Sequence, residues 1–331
     1  MATLTLSELL DIARSPLAHD ALGSAQGGGC IVTDLRGVRT TLPDAQPFAH
    51  LALVLVAITD GSDSVADAFD VVVGDESAAA TVVVAVEAHP LAATALALLL
   101  RGSERRTVVD GLIAESATYS ALQSGPEHAA WLSERGPSRA PRDEQPVHVA
   151  RADDTLRITL ARPDVRNAYN AATRDALLDT FAIATTDESI REILIEGAGP
   201  SFCSGGDLDE FGTRADPTSA HLLRLARSTA YAIHRLRDRT TVHVHGACIG
   251  AGIELPAFAH QVIATDDATF VLPEVAMGLV PGAGGTVSIS RRIGRHRLMW
   301  MAITGASVDA PTALEWGLVD AVRPRTDGPH N

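Results

Sequence analysis

Glu254 and Glu274 are the residues of this chain whose placement most invites chemistry. Each stands in an otherwise apolar run, GIELPAFA (252–259) and FVLPEVAMGLV (270–280), where an unpaired carboxylate is costly to bury. A lone glutamate in such a run reads as one capped or paired for structural reasons. Two of them are better read as a site, because perturbed carboxylates gather where chemistry is done. Two carboxylates sharing one water can activate it and move a proton to a neighbouring carbon.

Three glycine-rich turns follow apolar strand-like runs in the same half: 193–211 (ILIEGAGPSFCSGGDLDEF), 242–259 (VHVHGACIGAGIELPAFA) and 272–286 (LPEVAMGLVPGAGGT). In the first, Gly205-Gly206 before Asp207 makes a strand-to-helix turn with an acidic cap. In the second, Gly246, Gly250 and Gly252 open a helix and leave its first N–H groups free, with the positive dipole end outward. None matches the G-x-G-x-x-G dinucleotide pattern or a G-x-S-x-G elbow.

Composition removes other classes. The formal net charge is −14, which disfavours nucleic acid and anionic lipid as partners. Residues 1–145 hold 9 Arg against 19 Asp and Glu, whereas the remainder is nearer balance with 18 against 22, so an anionic ligand meets less repulsion there. No lysine occurs, which excludes Schiff-base, pyridoxal-phosphate and Walker A chemistry. Cys30, Cys203 and Cys248 show no C-x-x-C spacing, so neither a disulfide framework nor a zinc knuckle is expected. His243 and His245 alternate on one strand without a third ligand and read as structural; no metal is expected. The amino terminus lacks a basic-then-apolar signal, and the longest apolar run, 91–100, is about half the length that spans a bilayer. A cytoplasmic protein that does not engage membranes is expected.

The elements that must hold these residues fall into two α/β domains, 1–140 and 141–331, with GPSRAPRDEQP (136–146) as the linker. The first domain is expected to carry a helix over 7–14 capped by Ser7, strands at 30–35, 51–59, 69–75 and 80–88, and helices at 91–102, 107–122 and 126–135. The second opens with a hairpin around Ala152–Asp154. Helices (171–183, 206–212, 219–237, 251–259) then alternate with strands (192–197, 241–245, 261–265, 269–272), as in a layered α/β fold. Arg291, Arg292, Arg295 and Arg297 form a basic run expected on a solvated helix face. Trp131 and Trp316 are expected to pack, and Cys203 and Cys248 to fill small buried spaces.

Taken together, four ordered motifs closely resemble the crotonase (enoyl-CoA hydratase/isomerase) superfamily. They are Arg162-Pro163 with Arg166-Asn167-Ala168, then Phe202 to Leu208 (FCSGGDL), Gly246 to Glu254, and Pro273 to Thr286. The resemblance covers about residues 146–323 and implies a crotonase-like ββα superhelix. It further implies an acyl-coenzyme A substrate with no separate cofactor, and a homo-oligomer, trimer or hexamer. The thioester oxygen would rest on the backbone amides of Gly206 and Ala251, and Glu254 and Glu274 would be the hydratase pair. Glu254 would activate water and Glu274 would deliver the proton to C2. Arg166, Ala168, Ser204 and Gly282 fall at coenzyme A-binding positions.

Two features depart from the family. Asp209 stands where a lysine is often found, and the helical region that usually follows the last motif is not present before Asn331. Segment 111–137 resembles that terminal region, so residues 1–140 are read as scaffolding, oligomerisation or pocket closure, formed from a degenerate crotonase-like segment. The rival readings are a double-bond isomerase relying mainly on Glu274, and a silent acyl-coenzyme A-binding subunit.

Overall fold

The computed structural model describes residues 2–22, 29–42, 47–61, 65–136, 138, 145–213 and 216–325. In the first part, β1 (Ala2–Thr3), α1 (Leu6–Ala13), α2 (Ala18–Ala21), β2 (Cys30–Asp34), β3 (Val54–Ile58) and β4 (Val71–Val73) come first. Four helices follow: α3 (Glu76–Ala88), α4 (Pro90–Arg101), α5 (Val108–Gln123) and α6 (Pro126–Arg135). The strands form a wholly parallel sheet in the order β1-β2-β3-β4. β3 is buried at every position, as a strand covered on both faces should be.

The strand expected at 80–88 is helix α3. Asp75 caps it, accepting a hydrogen bond from the Ala78 amide. Ala79, Val82, Val83 and Val86 are its buried residues, at the i, i+3, i+4, i+7 spacing of one helix face. The cap and that stripe outweigh the weak strand preference of four valines. Helix α1 begins one residue earlier than expected, because Thr5 rather than Ser7 forms a capping box with Glu8.

Asp70 and Arg101 tie α4 to the parallel sheet. Arg101 donates Nε and Nη2 to the two Asp70 oxygens at 2.8 and 2.6 Å and reaches the carbonyls of Phe48, Leu51 and Leu53. Asp70 also accepts from the Leu55 amide, and both side chains are almost fully buried. Removing one partner leaves a buried charge uncompensated. Asp70→Ala is therefore expected to destabilise this half by about 3–5 kcal/mol, read as a lower thermal midpoint.

The second part contains β5 (Val147–Ala152), β6 (Thr155–Leu160), α7 (Ala171–Thr186), β7 (Glu192–Gly197), α8 (Pro217–Ala226), α9 (Thr229–Arg235), β8 (Thr240–Val244) and β9 (Ala247–Ile249). It continues through α10 (Ala251–Glu254), β10 (Gln261–Thr265), β11 (Thr269–Val271), α11 (Gly285–Ile293), α12 (Arg295–Thr304), β12 (Val308–Asp309), α13 (Ala310–Trp316) and β13 (Ala321–Arg323). Six strands form one sheet in the order β13-β10-β8-β7-β6-β5, parallel except for the expected β5–β6 hairpin. Strands β12, β11 and β9 form a small second sheet.

Three expected helices are shorter. Residues 208–210 make only a 3-10 turn. The helix expected over 219–237 is broken at Arg227 and Ser228, where the Ser228 hydroxyl accepts from the Tyr231 amide and starts α9 anew. Helix α10 stops at Glu254 and a 3-10 turn follows from Pro256, since proline cannot continue the α-helical bonding.

One buried cluster runs from Val32 to Val319 and includes residues of β2–β4, α3–α5 and the six-stranded sheet. The first part therefore packs into the second. Helix α12 lies on α3 and α4, while α5 lies on α8 and α11. Arg291 and Arg297 of the basic run are exposed as expected, but the run is not only a solvated face. Arg295 and His296 bond the Phe69 carbonyl at 2.9 and 3.0 Å, Arg291 bonds the Arg106 carbonyl, and Arg292 bonds the carbonyls of Ala257 and Ala259. Arg291, Arg295 and His296 fasten the two parts together, while Arg292 stays within the second. The linker expected at 136–146 lies mostly outside the described residues. Among the described residues no single helix is long and apolar enough to cross a membrane.

Candidate active site

The first two sequence motifs lock together around a buried arginine. Arg162 donates Nη2 to Asp207 at 3.0 Å and Nη1 to the Ala168 carbonyl. Asn167 accepts from the Arg162 amide at 2.8 Å and donates to the carbonyls of Ala198 and Ser201. Asn167 sits at φ +54, a left-handed conformation that asparagine tolerates better than most residues. The result fixes the Gly205-Gly206 turn beside Tyr169, whose amide donates to the Gly205 carbonyl while its own carbonyl accepts from the Asp207 amide.

That turn and the start of α10 face one cleft of about 520 Å³. Gly206 and Ala251 both line it, and neither amide donates to another group among the described residues. Gly252 must lack a side chain here, because a Cβ would lie 2.3 Å from the Cys203 carbonyl oxygen. Close approach of β9–α10 to the 203–206 turn is what brings the two amides to one cleft.

Glu254 and Glu274 line the same cleft, and both are buried, at 2% and 9% exposure. They meet above Gly250: a Cβ there would stand 2.3 Å from Glu274 Oε1 and 3.7 Å from Glu254 Oε1. The two carboxylates are held differently. Glu254 Oε2 accepts from the amides of Ala283 and Gly285, both at 2.8 Å. Glu274 Oε2 is buried with no hydrogen-bond partner. Burial pushes both carboxyls up from the ordinary range. For Glu254 the two amides oppose that rise, whereas for Glu274 the neighbouring Glu254 charge adds to it.

Helices of the first part brace both carboxylates. Glu115 of α5, fully buried, accepts from the Gly284 amide at 2.7 Å and from the Thr286 amide and hydroxyl at 2.9 and 2.7 Å. Glu115 and Glu254 together satisfy the four successive amides of 283–286, which are the free donors at the start of α11. Burial, with the Glu254 charge next, raises the Glu115 carboxyl to about 8. On the other side, His128 of α6 bonds the Met277 carbonyl at 2.9 Å through Nδ1, in the loop that carries Glu274. Gly278, at φ +69, admits the α6 backbone: a Cβ would lie 2.4 Å from the His128 nitrogen. Glu115→Ala is expected to lower kcat by about tenfold to a hundredfold, as displacements near 1 Å do, with KM less affected; steady-state kinetics on a 2-enoyl-coenzyme A check it.

Of the eight residues singled out in the sequence, Gly206, Ala251, Glu254, Glu274 and Gly282 line the cleft. Gly282 is pressed against the Tyr119 ring, 2.4 Å from where its Cβ would be. Arg166, Ala168 and Ser204 are not among the residues that line the cleft. Arg166 is exposed at φ +53, and its carbonyl accepts from the Ser204 amide. Ala168 is buried, and the Ser204 hydroxyl donates to the Val165 carbonyl. Sequence reasoning missed Glu115, Tyr119 and Arg224, which also line the cleft. A signal for the first existed: Glu115 is the only charged residue among the buried positions of α5 (Gly111, Leu112, Glu115, Ser116, Ser120).

Residues 151–328 match the family model described as enoyl-CoA hydratase/isomerase. The chain belongs to that family. A 2,3-dehydroadipyl-CoA hydratase of Escherichia coli K12 is 36% identical over 177 residues, covering 53% of this chain and 68% of that protein. A trans-2-decenoyl-[acyl-carrier-protein] isomerase of Streptococcus mutans is 33% identical over 166 residues, covering 49% and 63%. The chain thus spans about two thirds of the length of the curated relatives it matches. Among solved structures, an enoyl-CoA hydratase of Thermoplasma volcanium superposes with a TM-score of 0.51 at 32% identity, covering 55% of this chain and 73% of that one. One from Mycobacterium smegmatis gives 0.50 at 34%, covering 55% and 71%. The second part of the chain accordingly has the crotonase fold, with a parallel sheet of its own in the first part. Relatives named as hydratases and as an isomerase support crotonase-type chemistry.

Proposed function

We propose that this chain hydrates the 2,3 double bond of an enoyl-coenzyme A thioester. The observation that carries this reading is the pair of buried carboxylates meeting over Gly250 in the cleft lined by Gly206 and Ala251. Negative charge that develops on the thioester oxygen would be held by the two amides, each worth about 3–4 kcal/mol when such donors are lost. Ionised Glu254 takes a proton from water through Oε1 as its oxygen attacks C3. Protonated Glu274 gives its proton to C2. The next turnover requires the proton to pass from Glu254 to Glu274, and their meeting over Gly250 supports that exchange.

Coenzyme A would enter along Arg174 and Arg227, which line the cleft and share the single carboxylate of Asp175. Arg166, Ala168, Ser204 and Gly282 remain candidates for its backbone and phosphate contacts, with exposed Arg166 able to meet phosphate only outside the cleft. Residues 1–140 act as scaffold and pocket closure, a reading supported by Glu115, Tyr119 and His128. An idle binding subunit would have no use for two buried carboxylates in one cleft.

One observation favours isomerisation instead. Glu254 Oε2 is fully engaged by two amides while Glu274 Oε2 is unpartnered, an arrangement suited to a single proton-shuttling base. Glu254→Gln separates the readings when 2-enoyl- and 3-enoyl-coenzyme A are offered in turn. Hydration predicts loss of 2-enoyl consumption, and isomerisation predicts that 3-enoyl consumption survives.

A further inference from the structure

Among the described residues, Arg224 is the arginine of the cleft that forms no ion pair with a carboxylate. It projects from α8 toward α5, lining the cleft with the apolar Leu112, Phe211 and Leu223. Its Nε donates to the Ser116 hydroxyl at 3.1 Å, Nη1 to Gln123 at 3.2 Å, and Nη2 to the Ser116 carbonyl at 3.3 Å and to the Ser120 hydroxyl. All four acceptors are neutral. The other two arginines of the cleft, Arg174 and Arg227, are both paired with Asp175. Glu115, a carboxylate near the Arg224 guanidinium, commits its oxygens to the Gly284 and Thr286 amides. One Nη1 hydrogen remains unassigned, because five donors meet four acceptors.

The position of this charge is equally specific. The Arg224 guanidinium lies over the Tyr119 ring, 4.6 Å from its centre. Tyr119 presses on Gly282, the residue before the Ala283 amide that holds Glu254. A charge thus stands one aromatic ring away from Gly282, on the α5–α8 wall of the cleft. The arginine pair suited to coenzyme A phosphates lies on α7 and at the α8–α9 break. Arg224 is half-buried, and holding a positive charge there against neutral acceptors carries a desolvation cost that joining α5 to α8 does not by itself require.

We propose that Arg224 anchors a carboxylate at the far end of the acyl chain, so that the preferred substrate is the coenzyme A thioester of a dicarboxylic acid rather than of a simple fatty acid. The guanidinium fork matches a carboxylate in geometry, and its apolar surroundings strengthen the pairing. The substrate assignment rests on the hydratase reading, while the anchor is a claim about binding alone.

The test compares 2-enoyl-coenzyme A substrates of equal length, one ending in a carboxylate and one in a methyl group. Wild-type protein is expected to give the higher kcat/KM on the carboxylate. Arg224→Gln is expected to lower the carboxylate-to-methyl ratio by on the order of a hundredfold, and Arg224→Lys by less, since charge is kept and the fork lost. A wild-type ratio of one or below, or a ratio unmoved in Arg224→Gln, overturns the anchor. If neither thioester turns over, calorimetry with the saturated pair decides. Preference for the carboxylate that vanishes in Arg224→Gln upholds the anchor while the hydratase reading fails; equal wild-type affinities overturn it. Equal weakening of free coenzyme A and both thioesters in Arg224→Gln would assign Arg224 to phosphate and also overturn the proposal.

Discussion

Glu254→Gln and Glu274→Gln are each expected to lower kcat for hydration of a short 2-enoyl-coenzyme A by on the order of a thousandfold, the middle of the range for losing one positioned acid or base. Their double variant should lose little more than either alone, because in the proposed mechanism the two groups act as a unit on one substrate. The pH dependence separates their roles. The proposed hydration requires Glu254 ionised and Glu274 protonated. Both carboxyls are raised by burial, so the acid limb of the wild-type profile should lie above the ordinary carboxylate range, and the alkaline limb should follow loss of the Glu274 proton. Glu274→Gln should remove the alkaline limb from the residual activity. Stability should respond in the same direction. A carboxyl raised in the folded state makes stability fall as pH climbs from the unfolded value through the folded one. Glu274→Gln should therefore raise the thermal midpoint most above neutrality.

Gly250→Ala should be almost as damaging to turnover without removing any catalytic group. The backbone there has φ +49 and ψ −118, a sparsely populated conformation that costs alanine roughly 1–3 kcal/mol. The larger effect is steric. A Cβ at 2.3 Å from Glu274 Oε1 must push that carboxylate away from Glu254. Displacement by about 1 Å is expected to cost on the order of a hundredfold in kcat. Affinity for a saturated acyl-coenzyme A should change much less, because the Gly206 and Ala251 amides remain in the cleft. Comparing kcat with that affinity distinguishes misalignment of the pair from general damage to the cleft.

The crotonase fold of the second part was legible because its features are local. Glycines at 205, 250, 252 and 278 are dictated by backbone conformation or close approach, and the apolar runs around Glu254 and Glu274 carry their own signal of burial. The strands at 30–34, 54–58 and 71–73 were legible from β-branched runs. Helix α3 was not, since its valines imitate a strand and only Asp75 and the four-residue stripe oppose them. The role of α5 and α6 was legible only in part. Glu115 reaches the 284–286 turn across more than 160 residues of chain, and His128 reaches Met277 across 149. No window of sequence shows such pairings. The Arg291–Arg297 run misled for the same reason, because its acceptors are carbonyls at Phe69, Arg106 and Ala257, invisible as side-chain patterns.

The most direct test of the central claim follows the conjugated thioester absorbance of crotonyl-coenzyme A and of a longer 2-enoyl-coenzyme A with the full chain. Loss of absorbance with a 3-hydroxyacyl product, abolished in both Glu254→Gln and Glu274→Gln, is the expected result. Unchanged absorbance with both substrates, while a 3-enoyl-coenzyme A is converted to its conjugated isomer by the wild type and by Glu254→Gln alike, would contradict it.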